Sequence, residues 1–125
     1  MAEYHSIIQN IVKRTADIAG VPVHHAPSPS AGEKIIYRCT PGECDGNYES
    51  FTVVMKFLSA DLDTAFRRAE DVTYMLCTDG FRSVLRDGRC PVYTVREDGG
   101  GSGFIGRTGH FFVMTRYKVR RRVPS

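Results

Sequence analysis

One segment of the chain matches a ligand-binding fingerprint letter for letter: Gly101-Ser102-Gly103-Phe104-Ile105-Gly106, a G-x-G-x-x-G run. That spacing cradles a dinucleotide pyrophosphate when it follows a strand and opens a helix, because the helix N-terminal amides then point at the phosphate. Here the downstream residues alternate as a strand does, so the run reads as a loop between strands. Cys39, Cys44, Cys77 and Cys90 could supply thiolates. Structural zinc sites, however, use two closely spaced ligand pairs, and only Cys39 and Cys44 lie near one another in sequence. His24 and His25 are adjacent, which on a strand sends them to opposite faces, and His5 and His110 stand apart. Cys90 precedes Pro91 without a nucleophile motif. Asp61 with Asp63, and Glu70 with Asp71, fall on the outer side of a helix and read as a solvated face. The sequence nominates no catalytic residue, metal or cofactor, and the chain is expected not to be an enzyme.

The other chemically marked segment is basic. Arg116, Lys118, Arg120, Arg121 and Arg122 are five of the 17 Lys and Arg residues. The other 12 are outnumbered by 14 Asp and Glu, so the net charge of +3 conceals a nearly neutral body and a basic end. Such a stripe meets nucleic acid or an acidic protein surface, or is merely solvated. Single-strand binders interleave cations with stacking aromatics. Alternation places Tyr117 on the side opposite Arg116, Lys118 and Arg120, which favours a solvated or protein-contacting face and leaves sequence-independent phosphate contact open.

These segments need elements to position them. Tyr4, Ile7, Ile8, Ile11, Ile18 and Ala19 recur at helical spacing, and Gly20 with Pro22 supplies a stop. Residues 21–24 suit a short strand, and Ala26 to Gly32 a loop. Ile35, Tyr37 and Cys39 alternate with Lys34, Ile36 and Arg38. Phe51, Val53, Met55 and Phe57 alternate with Ser50, Thr52, Val54 and Lys56. Both are half-buried strands by period, joined as a hairpin by the turn formers between Thr40 and Asn47. Leu62, Ala65, Phe66, Ala69, Val72 and Leu76 make the apolar stripe of a second helix, with Asp61 as its N-cap and Asp79-Gly80 as its end. The segment 81–89 is ambiguous. Residues 91–96 form a short strand, and Glu97 to Gly103 a glycine-rich hairpin tip or mobile loop. In the last strand, His110 to Arg122, Phe111, Val113, Thr115, Tyr117 and Val119 share one face. Phe112, Met114, Arg116, Lys118, Arg120 and Arg122 share the other.

A chain of 125 residues fits one domain, 1–125, with the end from about 116 onward extended. The expected fold is α+β: a mainly antiparallel sheet of four to five strands with two amphipathic helices packed on it. No apolar run approaches the roughly 18 residues that span a bilayer. The N-terminus lacks the pattern of a signal peptide, so a cytoplasmic product with reduced cysteines is expected.

In order and spacing the chain resembles the tail-terminator proteins of long-tailed bacteriophages, also called minor capsid or tail completion proteins. The resemblance lies in the opening amphipathic helix, the strand Phe51 to Phe57, and the helical run Ala65 to Leu76. It continues through the ending built from Pro91 to Val95, Phe104 to Arg107 and Gly109 to Val119. The cysteines, the run Gly99-Gly100-Gly101-Ser102-Gly103 and the very basic end depart from it. The resemblance implies a virion protein of the tail or neck, made in the host cytoplasm. It implies a homo-oligomeric ring, commonly a hexamer, that caps the tail-tube protein, meets the head–tail connector and lets genome DNA pass its lumen. The residues then expected at the lumen or an assembly interface are Arg116, Lys118, Arg120, Arg122, Gly99, Gly100, Gly101, Ser102 and Gly103. The loops 26–32 and 97–103 would make assembly contacts. A head-completion or neck protein, and a small nucleic-acid-binding module, are the alternative readings.

Overall fold

Strand alternation along β3 (Tyr48–Ser59) and β6 (His110–Arg122) organises the molecule, because these two strands pair along twelve positions in the centre of the sheet. The computed structural model describes residues 2–28, 32–44, 46–77, 86–87 and 90–122. The remaining elements are α1 (Ala2–Ala19), β1 (Val23–His25), β2 (Lys34–Cys44), α2 (Leu62–Cys77), β4 (Arg86–Asp87) and β5 (Cys90–Ile105). The six strands lie in the order β1-β2-β3-β6-β5-β4. All neighbours are antiparallel except β1 and β2. The expected α+β class holds, with six strands where four to five were expected. The three-residue β1 falls at the short strand expected over 21–24, and the added one is the two-residue β4 at the opposite edge.

Both helices cover one face. On β2, β3 and β6 the odd-numbered residues point to it, and Ile35, Tyr37, Phe51, Val53, Met55, Phe57, Val113, Tyr117 and Val119 are all buried there. Against them pack Ile7, Ile8 and Ile11 of α1 and Ala65, Ala69, Val72 and Leu76 of α2. Burying such side chains stabilises by about 1.5–3 kcal/mol each relative to exposure, which fixes strand register because a one-residue slip would turn every one of them to the other side. Tyr117 is fully buried, and its hydroxyl shares a 2.7 Å hydrogen bond with Thr73 Oγ1 on α2, which satisfies the one polar atom of that ring.

Helix ends follow the sequence signals. Gly20 takes φ +69° and donates its N–H to the Ala16 carbonyl at 2.9 Å, closing α1. Asp61 caps α2, accepting from the Thr64 N–H at 3.2 Å and the Thr64 hydroxyl at 2.6 Å. These hydrogen bonds, led by the hydroxyl, hold its carboxyl below the usual range. Two expected stripe members are not core: Ile18 and Phe66 are 48% and 41% exposed. Each sits at the rim of its helix's apolar arc, where the sheet no longer reaches. Cys77, the last residue of α2, is likewise exposed.

The largest departure from expectation is the segment Glu97 to Gly103, which is strand and not a hairpin tip. It lies within β5 and pairs with β6 across a bulge: Glu97 faces Arg116 and Gly101 faces Met114, four steps on one strand against two on the other. The backbone amides need a ladder whether or not side chains are present, and glycine here makes that ladder possible. Gly100 has φ +146° and lies where a Cβ would collide with the Met114 carbonyl. At Gly103 a Cβ would meet the Phe112 ring at 2.7 Å. The true turn is Gly106 to Gly109, closed by the Gly109 N–H to the Ile105 carbonyl at 2.9 Å. The expected connection after Thr40 is likewise mostly strand, since β2 continues to Cys44. The side chains of Tyr4, His5, Cys90 and Arg122, the helix stop at Asp79-Gly80, residues 81–85 and 88–89, and the end from 123 onward lie outside the described residues.

Candidate functional site: the open face of the sheet

The face opposite the helices receives the even-numbered residues of β2, β3 and β6. Cross-strand register sets them in rows. Arg38, Val54, Arg116 and Glu97 form one; Thr40, Thr52, Lys118 and Val95 the next; Ser50, Arg120 and Tyr93 a third. Arg38, Arg116, Lys118 and Arg120 are exposed, and Lys56 is half-buried. The Arg120 guanidinium stacks 4.4 Å from the centroid of Tyr48, and the Lys56 ammonium lies 4.9 Å from that of Phe112. Both contacts hold the cation's stem against an aromatic face while leaving it charged. Glu97, half-buried, is the one carboxylate among the described side chains of this face.

One end of the face is roofed. Ala26, Pro27 and Ser28, directly after β1, stand over it. Ser28 Oγ accepts from Lys34 Nζ at 3.3 Å, and Gly32 donates its N–H to His110 Nε2 on β6 at 3.2 Å. Glu33 then anchors the strap to the other side of the molecule. It accepts from Ala60 N–H at 2.7 Å, Ser59 Oγ at 2.8 Å and Arg68 at 2.9 Å. Burial alone would raise the Glu33 carboxyl, but these three donors outweigh it and lower it. Beneath the strap lies a cavity of about 510 Å³, walled by Ala26, Pro27 and Ser28 and floored by Ile36, Val54 and Met114. Arg38, Lys56 and Arg116 stand on its open side.

The structure brings Arg116, Lys118 and Arg120 together on this face, as their parity implied, and adds Arg38 and Lys56 from two other strands. Those two are legible in the alternation of β2 and β3, where Lys34, Ile36 and Arg38, and Ser50, Thr52, Val54 and Lys56, share the face opposite the apolar residues. Arg121 leaves the group. It points to the helix side, is 3% exposed, and pairs with Glu49 Oε2 at 2.9 Å. Gly99, Gly100, Gly101, Ser102 and Gly103 lie in β5 alongside β6 and do not form a separate loop. The glycine fingerprint runs along the end of β5 into the turn at Gly106 and opens no helix. Of the cysteines, Cys39, Cys44 and Cys77 are free thiols, and burial pushes Cys39 up to about 11, so it is protonated at neutral pH. Among the described residues no three His, Cys, Asp or Glu side chains converge on a point, and no helix is long and apolar enough to cross a membrane.

A sheet with both helices on one face and a cationic other face defines an α+β protein. A chain in the virion of a native gene transfer agent particle has a similar fold, with a TM-score of 0.56 and 15% identity over 87% of this chain and 84% of that one. No protein-family model matches the chain, and no curated protein does.

Proposed function

We propose that this chain is a structural subunit of a phage-like virion, a tail terminator that closes into a ring, caps the tail tube and joins tail to head. The observation that carries the reading is the fold shared with a chain of a gene transfer agent virion over most of both chains. The order of elements that resembles tail terminators supports it. A structural role fits the glycine fingerprint, which is taken up in strand pairing with β6. Neighbours in such a ring meet through heterologous contacts closed by rotation. The surfaces available for them, among the described residues, are the edge of β2 beyond Tyr37, the edge of β5 beyond Pro91, and Ala26 to Ser28. Its partners are then further copies of itself, the tail-tube protein, the head–tail connector and, in the lumen, genome DNA.

Light scattering across a wide concentration range, with and without purified tail tubes, tests the reading. A closed oligomer, a hexamer above all, or saturable binding to tube ends is the expected result. A chain that stays monomeric and ignores tube ends, or that binds only tail-less heads, overturns it.

A further inference from the structure

We propose that the open face of the sheet, from Arg38 on β2 to Arg120 on β6, binds the phosphate backbone of duplex DNA without sequence preference. The inference rests on charge placement and holds whether or not the chain closes into a ring. Five cations, Arg38, Lys56, Arg116, Lys118 and Arg120, share a surface on which Glu97 is the single described carboxylate. Such segregation gives a field that DNA, uniformly anionic, complements along its whole length.

The spacing suits a repeating polyanion. Alternate residues of a strand stand about 6.6 Å apart, so Arg116, Lys118 and Arg120 make a row roughly 13 Å long. Arg38 and Lys56 stand on the two strands beside it, two inter-strand steps or about 10 Å from β6 at the farthest. The row is rigid because β6 is paired on both sides. The backbone positions of its cations are therefore set before DNA arrives, and the Arg120 stem is also held against Tyr48. At the roofed end, Arg38, Lys56 and Arg116 stand on the open side of the cavity, where Arg38 and Lys56 add to the row. No side chain on this face presents the paired amide or guanidinium forks in a protruding element that reading base edges in a groove requires. The contact is with the backbone, which carries no sequence information. An acidic protein segment would meet the same charges, and the experiment separates the two.

Fluorescence anisotropy of a labelled duplex of mixed sequence is measured as salt is raised. Wild-type protein binds, with a log–log slope of about −4 and a loss of about 100-fold or more between roughly 50 and 200 mM salt. In R116Q/K118Q/R120Q the slope shrinks by about 3 and affinity at the lowest salt falls at least about 30-fold. Removing three exposed cations from the helix side, K13Q/R14Q/R67Q, leaves affinity within about twofold. Glu97→Gln acts in the opposite direction and tightens binding by about threefold. Thermal melts of each variant keep the folded fraction known. Equal losses from the two triple variants would reduce the effect to net charge and overturn the proposal. So would wild-type protein that ignores the duplex at the lowest salt while binding polyglutamate.

Discussion

The two faces of the sheet are made by the same strands and differ in almost every property that matters. Toward the helices, Phe51, Phe57, Met55 and Tyr117 are sealed from water, and the one arginine that enters, Arg121, does so with Glu49 bound to it. On the other side Val54 and Met114 are half-covered, and Arg116, Lys118 and Arg120 stand in solvent. A single residue step along β6 crosses from one regime to the other. Adjacent positions in one strand therefore answer to unrelated selection: packing and pairing on one side, field and contact on the other.

The sharpest way to break this contrast is to truncate large side chains on each face. Phe57→Ala is expected to cost about 3–5 kcal/mol in denaturant unfolding, and Val54→Ala about 1 kcal/mol or less. Equal costs would mean that the open face is also core. Next in size is the pair of neighbouring arginines. Arg121→Ala strands the Glu49 carboxylate beside the core and should cost about 2–3 kcal/mol, whereas Arg120→Ala should stay within about 0.5–1 kcal/mol.

Glu33→Gln tests the strap that joins the two faces, with an expected loss of about 1 kcal/mol at neutral pH, kept small by the carboxylate's exposure. Its folded-state carboxyl lies below the ordinary value, so its contribution is complete above the unfolded carboxylate range and fades as pH falls through the folded one. Wild type and E33Q should consequently converge in stability on acidification below about pH 4, the ordinary range of a glutamate carboxyl. A gap that persists in acid would assign the loss to packing. The smallest effect is expected at Thr15, whose hydroxyl is fully buried and has no hydrogen-bond partner among the described residues. Thr15→Val should raise the melting midpoint slightly, by the equivalent of about 1 kcal/mol or less. A drop would reveal a bound water there.

Period-two and helical patterns made the α+β class, both helices and the inner faces of β2, β3 and β6 legible before any coordinates, because burial on one side imposes the period directly. The same parity placed Arg116, Lys118 and Arg120 on one surface. What was not legible came from places where pattern carries no signal. Glycine lacks the side chain that alternation is read from, so Glu97 to Gly103 looked like a loop while its backbone was paired. The two-residue edge strand β4 is too short for a period to show. The strap's course depends on Gly32 meeting His110 and on Glu33 meeting Arg68, contacts between residues 78 and 35 positions apart that no local rule foresees.

The central place of β6 also sets the order in which the molecule can be made. β2 and β3 form one hairpin and β5 and β6 another, but β3 and β5 are not paired with each other; β6 lies between them. Until that strand is synthesised, β3 and β5 each keep an unpaired flank rich in apolar residues. The ladder that joins the hairpins must close a chain segment as long as that between Ser59 and Phe111, which makes its formation slow relative to either hairpin alone. Nascent chains that stop short of β6 would therefore present two sticky edges instead of one finished sheet, and a ribosome stalled in this strand would leave a product prone to aggregation.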